Sequence, residues 1–378
     1  MKILMPDAQF PGPPDVEQEA LGAGAELELY RGVQADEISD ASWAACDAIL
    51  VWQDIAVDPA LAAKLDKCRI IVRCGIGYDR MNLQATGARG IPVCNVPTYD
   101  FTDVMSSTLA MSLALMRGLF TYDRFLRPDL AAGWKWGIAP EMRRVREQNF
   151  AVIGCGRIGT GVLLRAQGFG MTPGYYDPYL PTGHNNSLGV ERFDSLEEVL
   201  AWADVVSIHT PLNDETRNMI NRETIALMKP GTIFVNCARG GLVDMDGLEW
   251  GLRDGPIVAA ALDVFPEEPP ASHPLMTAWL NEDEWLRGRL CITPHCSFYS
   301  EATFQEIRHG AAATAAAYLR DGSLINCVNE DYLDMAKKRK GMNDKALNFY
   351  GHFLSGPSCK GGLMLSMSGI PHAYHHID

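Results

Sequence analysis

The chain has 378 residues, 47% apolar and 21% charged, which are ordinary values for a water-soluble globular protein and give length enough for two domains. A formal net charge of −14 repels polyanions at long range, so neither nucleic acid nor an anionic membrane is expected as a partner. No run approaches the roughly 18 unbroken apolar residues of a membrane span. The ten cysteines are scattered singly, several of them inside apolar runs (Cys74, Cys94, Cys155, Cys291). That usage suits reduced, buried thiols in a cytoplasmic protein, and the N-terminus enters a strand without a signal peptide.

In chain order, short apolar or alternating runs at Ile3 to Met5, Ala25 to Tyr30, Ala48 to Trp52, Ile70 to Cys74 and Pro92 to Val96 read as strands, with a helix-like stretch at Pro59 to Leu65 between them. They make a first α/β unit without a dinucleotide fingerprint. At one strand end lies Gly75-Ile76-Gly77-Tyr78-Asp79. Two readings stand open there, a turn whose free amides face an anion or a plain strand-to-helix connection. Asp103 to Arg117 is apolar nearly all round and reads as a buried helix. From Thr121 to Arg146 the composition shifts toward Trp134, Trp136, Pro140 and scattered arginines, an arm suited to lying on a second subunit.

The second unit opens with Phe150 to Gly159, an apolar run that breaks into Gly154, Gly156 and Gly159 in G-x-G-x-x-G spacing. The reading is strand, tight turn, helix start. Gly154 turns the chain, Gly156 lets a pyrophosphate approach the backbone, and Gly159 lets helix and strand pack closely. The turn residues Arg157 and Ile158 open the helix, whose amide groups lack intrahelical partners and favour an anion. Asp177 ends an aromatic strand about twenty residues on, where a ribose hydroxyl acceptor belongs. A carboxylate there accepts from the 2′-hydroxyl of NAD and repels the 2′-phosphate of NADP, so NAD is the expected cofactor.

Further strands are expected at Val205 to Ile208, Ile233 to Asn236, Val258 to Leu262 and Leu290 to Thr293. Each ends in polar or small residues: His209-Thr210-Pro211, Cys237-Ala238-Arg239, Asp263, and Pro294-His295. Strand ends of an open α/β sheet converge on one crevice. Moving a hydride between a nicotinamide and a 2-oxo acid needs an acid for the carbonyl oxygen, a cation for the carboxylate and a fixed geometry. His295 suits the acid, Glu268 on its other ring nitrogen would favour the imidazolium, and Arg239 offers a planar fork to a carboxylate. Asp263 is placed to hold the nicotinamide amide. Each has a plainer alternative: a surface ion pair for Arg239, membership of an acidic run for Glu268, a cap for His295.

After Thr303 the chain starts as an alanine-rich helix, and the last forty residues show little periodicity. Lys337 to Lys340 reads as a solvated linker. His372, His375 and His376 read as part of a terminal tail rather than a metal cluster, and no metal is expected.

Taken together and in order, Gly75 to Asp79, Gly154 to Gly159, Tyr176 to Tyr179, His209 to Leu212, Asn236 to Asp244, Ala261 to Phe265 with Glu268-Pro269, and Thr293 to His295 resemble the D-isomer-specific 2-hydroxyacid dehydrogenase family. Tyr176 to Leu180, Pro294 to Glu301 and Asn326 to Asn329 are most similar to its C-terminal-binding protein branch, which are corepressors. The resemblance implies an α/β protein of two doubly wound parallel-sheet domains, a Rossmann NAD-binding domain over 119–299 with a dimerisation arm and a flavodoxin-like substrate domain over 1–118 and 300–332, with a cleft between them. Residues 333–378 would form a C-terminal tail. It implies a homodimer acting on a small 2-oxo or 2-hydroxy acid, with Arg239 anchoring the substrate, Glu268 and His295 as acid/base pair, and Ile76 and Gly77 giving amides to the carboxylate, beside Gly75 and Tyr78. Two departures touch the pocket. Phe298 stands where the corepressors carry tryptophan, and Ser106 stands where an acid is usual.

Overall fold

The structure, a computed structural model, describes residues 1–99, 101–139, 142–270 and 272–333, and the backbone of 347–351 and 372–376. It divides into two compact units, 1–97 with 308–378 and 98–307.

In the first unit β1 (Lys2–Met5), α1 (Asp15–Leu21), β2 (Glu26–Leu29), α2 (Asp40–Ala45), β3 (Ala48–Val51), α3 (Pro59–Lys64), β4 (Ile70–Arg73), α4 (Leu83–Ala88) and β5 (Val93–Asn95) alternate. All five strands are parallel, in the order β2-β1-β3-β4-β5. That is the flavodoxin-like doubly wound order. Central strands β3 and β4 are buried on both faces, which is why they read as unbroken apolar runs. The helices start on side-chain caps: Ser39 on α2, Asp58 on α3 and Asn82 on α4 each accept from a first-turn amide.

The second unit begins with α5 (Thr102–Met116), α6 (Leu119–Leu126) and α7 (Leu130–Gly133). There follow β6 (Asn149–Ile153), α8 (Arg157–Gly168), β7 (Thr172–Tyr176), α9 (His184–Leu188), β8 (Glu191–Phe193), α10 (Leu196–Trp202) and β9 (Val205–Ile208). The series ends with α11 (Arg222–Ile225), β10 (Thr232–Asn236), α12 (Met245–Arg253), β11 (Ile257–Leu262), α13 (Pro274–Leu280), β12 (Leu290–Ile292) and the start of α14 (Glu301–Asp321). Seven parallel strands run β12-β11-β10-β9-β6-β7-β8. Counted from β6 the order is 3-2-1-4-5-6-7, the Rossmann arrangement with one strand added. The direction of winding reverses between β6 and β9, and ligands of such sheets bind beyond the strand ends at that point.

The division of the chain differs from the expected boundaries at 118/119 and 299/300. Helix α5, read as the end of the substrate domain, contributes Met105, Leu109, Met111, Leu115 and Met116 to the core that holds Phe150, Val152, Val205, Val235 and Ala261 of the second sheet. A composition change after Arg117 marks where an apolar helix stops, not which sheet it covers. The second boundary moves for a similar reason. The Asp103 carboxylate accepts from Ser300 Oγ at 2.6 Å and from Thr303 Oγ1 at 2.7 Å, tying the start of α14 to α5.

Strand β8 has no counterpart in the sequence reading, because three residues beside glycine and charge give no alternation to detect. The arm is helical, and it leaves Trp134 78% and Trp136 92% exposed. Leu347–Gly351 and His372–His376 pair as two further parallel strands, β13 and β14, in a stretch read as having little periodicity. The Lys337 to Lys340 linker, Pro140 and the side chains of His372, His375 and His376 lie outside the described residues. No single helix among the described residues is long and apolar enough to cross a membrane. The pair α5 and α6, bent by 60°, passes by length and composition, and α5 owes its apolarity to the core it fills.

Candidate functional site

The glycine turn after β6 shows why Gly154 and Gly159 are required. Gly154 has φ +90, and a Cβ there would lie 2.8 Å from the His209 carbonyl group and 2.9 Å from Thr210 Cγ2. A Cβ on Gly159 would sit 2.1 Å from the Gly154 carbonyl oxygen, so only glycine lets α8 approach the turn. Over Gly156 a Cβ would meet nothing within 4 Å. That open face, at the first turn of α8, is where a pyrophosphate has room against unpaired amides. Asp177 accepts from Cys155 N–H at 2.9 Å and from Tyr179 N–H at 3.0 Å, so it shapes the turn as well as ending β7. Arg157 lies over the Phe101 ring at 5.5 Å, and Ile158 packs on the unit's core.

His209, Thr210 and Pro211 continue β9 beside this turn. His209 Nε2 meets Ser207 Oγ at 2.9 Å, and burial holds its imidazole down at about 3. The ring therefore stays neutral across the working pH range.

Beyond β10 the buried Asn236 side chain accepts from Ala238 N–H at 3.0 Å and donates to the Arg239 carbonyl at 2.9 Å, which folds Cys237, Ala238 and Arg239 into a fixed loop. The thiol of Cys237 is pushed up to about 12, by burial first and then by Asp263, so it stays protonated there. A Cβ on Gly240 would fall 1.8 Å from the Phe265 carbonyl carbon, so the missing side chain brings Arg239 against the segment carrying Glu268. Arg239 Nη1 donates to the Ala238 carbonyl at 2.7 Å.

His295 Nδ1 meets Glu268 Oε2 at 2.7 Å, with 20% of the histidine side chain and 32% of the glutamate side chain exposed. Glu268 Oε1 also accepts from Phe265 N–H at 2.9 Å. Burial pushes the Glu268 carboxyl up. The hydrogen bond and charge of His295, the Phe265 amide and the charge of Arg239 outweigh it and hold the group below its ordinary value. The three residues expected to act together therefore gather in one unit, around an ionised carboxylate. Phe298 packs edge-on to the His295 ring, centroids 6.4 Å apart.

His295 has φ +51, a left-handed conformation uncommon outside glycine. Asp263 holds it there. The Asp263 carbonyl accepts from His295 N–H at 2.8 Å, and its carboxylate accepts from Thr293 Oγ1 at 2.6 Å, Cys296 N–H at 2.9 Å and Ser297 N–H at 3.0 Å. Expected as a ligand of the nicotinamide amide, Asp263 is 98% buried and its carboxylate braces the histidine loop. The bracing role was not read from the sequence, nor was that of Asn236. The available signal was a polar residue ending an unbroken apolar strand.

In the first unit, the carbonyls of Gly75 and Ile76 are taken by Val96 N–H at 3.0 Å and Asn95 Nδ2 at 2.7 Å. Among the described residues no acceptor meets the amides of Ile76 and Gly77. Arg73, which the sequence reading passed over, folds its guanidinium against Gly75 and donates to the Cys74 carbonyl. Tyr78 is 40% exposed. The turn thus has its carbonyls pinned, with half-exposed amides at Ile76 and Gly77 and the Arg73 cation beside it.

Residues 109–297 match the family model for the NAD binding domain of D-isomer specific 2-hydroxyacid dehydrogenases. The chain is 38% identical over 256 residues to a D-3-phosphoglycerate dehydrogenase of Methanocaldococcus jannaschii, an alignment covering 67% of this chain and 47% of the relative. It is 35% identical over 333 residues to one of Mycobacterium leprae, covering 84% and 60%. The chain thus spans about half to three fifths of the length of these relatives. Among solved structures, a D-lactate dehydrogenase of Aquifex aeolicus, complexed with NAD and lactic acid, superposes with a TM-score of 0.75 at 26% identity over 85% of this chain and 96% of that one. The TT0316 protein of Thermus thermophilus gives 0.75 at 29% identity over 87% and 100%. With a Rossmann sheet, a G-x-G-x-x-G turn and the family's NAD-binding-domain model spanning half its length, the chain belongs to the D-isomer specific 2-hydroxyacid dehydrogenase family.

Proposed function

We propose that this chain is an NAD-dependent D-2-hydroxyacid dehydrogenase working as a 2-oxoacid reductase. The observation that carries the reading is the His295 Nδ1 to Glu268 Oε2 contact at 2.7 Å under the charge of Arg239. Bound NADH would supply the hydride chemistry. His295 presents Nε2 with its proton to the carbonyl oxygen, while Glu268 holds the ring through Nδ1 and stabilises the imidazolium that gives up the proton. Arg239 binds the substrate carboxylate and aligns the carbonyl carbon. Asp263 fixes the loop so that the imidazole needs no reorganisation. Gly154, Gly156, Arg157, Ile158 and Gly159 would take the pyrophosphate, Asp177 the ribose, and His209 to Pro211 with Cys237 and Ala238 the rest of the dinucleotide. Gly75, Ile76, Gly77 and Tyr78 are assigned to the substrate's carboxylate, and Phe298 to its side chain. The exposed Trp134 and Trp136 support a homodimer joined through the arm.

The test is NADH oxidation with a panel of 2-oxo acids. Stereospecific turnover by the native protein, lost in His295→Ala, is expected. No turnover with any acid in a broad panel would end the reading. A second reading, an NADH-responsive corepressor-like binding protein, rests on the likeness of Tyr176 to Leu180 and Pro294 to Glu301 to the C-terminal-binding proteins. A partner pull-down whose yield ignores NADH would count against it.

A further inference from the structure

Two thiols of the first unit face each other in a place the proposed chemistry does not use. Cys94, fully buried in β5, lies opposite Cys327 in an antiparallel bridge, and both are reduced. The flanking hydrogen bonds identify the kind of bridge. Asn95 N–H donates to the Asn326 carbonyl at 3.2 Å, and Val328 N–H donates to the Val93 carbonyl at 2.8 Å. The bonds join the neighbours of the two cysteines and not the cysteines themselves. This is the non-hydrogen-bonded antiparallel pair, in which Cα atoms stand about 4.5 Å apart and side chains approach most closely. Disulfides span Cα separations of roughly 4.4–6.8 Å. A pair of this kind brings its two side chains together at the spacing a disulfide needs, and the Cys327 thiol donates to Asn329 Oδ1 at 3.3 Å.

We propose that Cys94 and Cys327 are a thiol–disulfide modification site, closed by a small-molecule disulfide into a covalent latch between β5 and the segment after α14. Cys327 is the half-buried member, and its thiolate attacks one sulfur of the external disulfide. A mixed disulfide forms and one small-molecule thiolate leaves. Cys94 then gives up its proton and attacks the Cys327 sulfur, releasing the second thiolate. Two protein thiols are oxidised, one small-molecule disulfide is reduced to two thiols, and the two cysteine protons end on them. Contact with the Cys327 thiol and then burial raise the Cys94 thiol, so closure is slow near neutral pH and quickens as pH rises.

The site sits where a latch has consequences. Next to Cys94, Asn95 holds the Ile76 carbonyl. Beyond Cys327, Asn329 accepts from Val93 N–H at 2.8 Å and donates to the Ile91 carbonyl at 3.0 Å. Closing the bond stiffens β5, whose Asn95 and the following Val96 pin the carbonyls of the Gly75 to Tyr78 turn that ends β4. That consequence for acid binding rests on the function proposed above, whereas the bond itself is read without any turnover. A second thiol pair gives an internal control. Cys46 and Cys68 also touch through their thiols, but both are buried, no β-bridge pairs their backbones among the described residues, and each donates to a backbone carbonyl at 3.3 Å, of Trp43 and Ile70, so neither offers an exposed sulfur for the first attack.

The experiment incubates the folded full chain with oxidised glutathione at several pH values, blocks remaining thiols with N-ethylmaleimide, and maps peptides without reduction. The expected result is a peptide linked through Cys94 and Cys327, forming faster at higher pH, cleaved by dithiothreitol and absent from Cys327→Ser. Glutathione persisting on Cys327 beside a maleimide-blocked Cys94 would overturn the proposal, as would a linkage confined to Cys46 and Cys68.

Discussion

The glycine-containing turns that end β6 and β4 are built differently. After β6 the turn is held by sterics: Gly154 against His209, Gly159 against Gly154, with α8 starting at once and Asp177 bracing the loop. After β4 the turn is held by hydrogen bonds to its carbonyls, from Val96 and Asn95, and α4 begins only at Leu83. The first turn tolerates no side-chain atom at Gly154 or Gly159; the second is set by partners that can be removed one at a time. A steric constraint leaves its mark in the sequence as glycine spacing. A hydrogen-bonded one depends on residues about twenty positions away, which is why the sequence left two readings of Gly75 to Asp79 open and did not show the part Asn95 plays in holding the turn.

The sharpest break of this comparison is Gly159→Ala against Gly156→Ala. With a backbone oxygen 2.1 Å from the new Cβ, the first should destabilise the second unit by at least about 3 kcal/mol, since overpacking a tight site costs roughly 1–3 kcal/mol and more when backbone must move. Gly156→Ala, facing open space, should leave the unfolding free energy from urea titration within about 1 kcal/mol of the native value while weakening NADH binding. Equal losses of stability in the two variants would contradict the steric account.

Next in size is Glu268→Gln. Without a carboxylate on Nδ1, kcat with the best 2-oxo acid should fall about 10²-fold, at the lower end of the usual acid–base contribution. The native Glu268 carboxyl lies below its ordinary value, so its support of His295 is present above that depressed value and is lost only as pH falls through it. The acid limb of kcat in the native protein should accordingly lie below the ordinary carboxylate range, and a glutamine variant of unchanged kcat would remove the pair from the chemistry.

A smaller effect is expected from Asn95→Ala. Losing the 2.7 Å bond to the Ile76 carbonyl removes about 0.5–1.5 kcal/mol of order from the first turn, so KM should rise roughly 2- to 10-fold with kcat unchanged. A fall in kcat at constant KM would place the turn's role elsewhere.

The mildest concerns pH and stability. A free imidazole titrates near 6.5, whereas His209 in the fold lies at about 3. As pH falls, the unfolded chain takes up that proton first. The stabilising contribution is complete above about 6.5 and is lost progressively toward about 3. His209→Gln should flatten the loss of urea stability between pH 7 and pH 5, and an unchanged slope would show that the ring is not the group responsible.

Much of the fold was legible because parallel strands buried on both faces, such as Ala48 to Val51 and Ile70 to Val72, run almost entirely apolar. The site was legible where chemistry dictates residue type, at Arg239, Glu268 and His295. The supports were not. Asp263 looks like any acid at a strand end until three donors from its own histidine loop are seen converging on it. The position of α5 was missed because an all-round apolar helix suits either sheet. Its packing is decided by shape, with Met105 fitting where Gly161 has no side chain.

The most direct measurement follows the label from NADH deuterated at C4 of the nicotinamide into the acid product, in the native protein and in His295→Ala. The account predicts deuterium at C2 of a D-2-hydroxy acid for the native protein and loss of that product in the variant. Native turnover that leaves C2 unlabelled, or undiminished labelled product from His295→Ala, would contradict it.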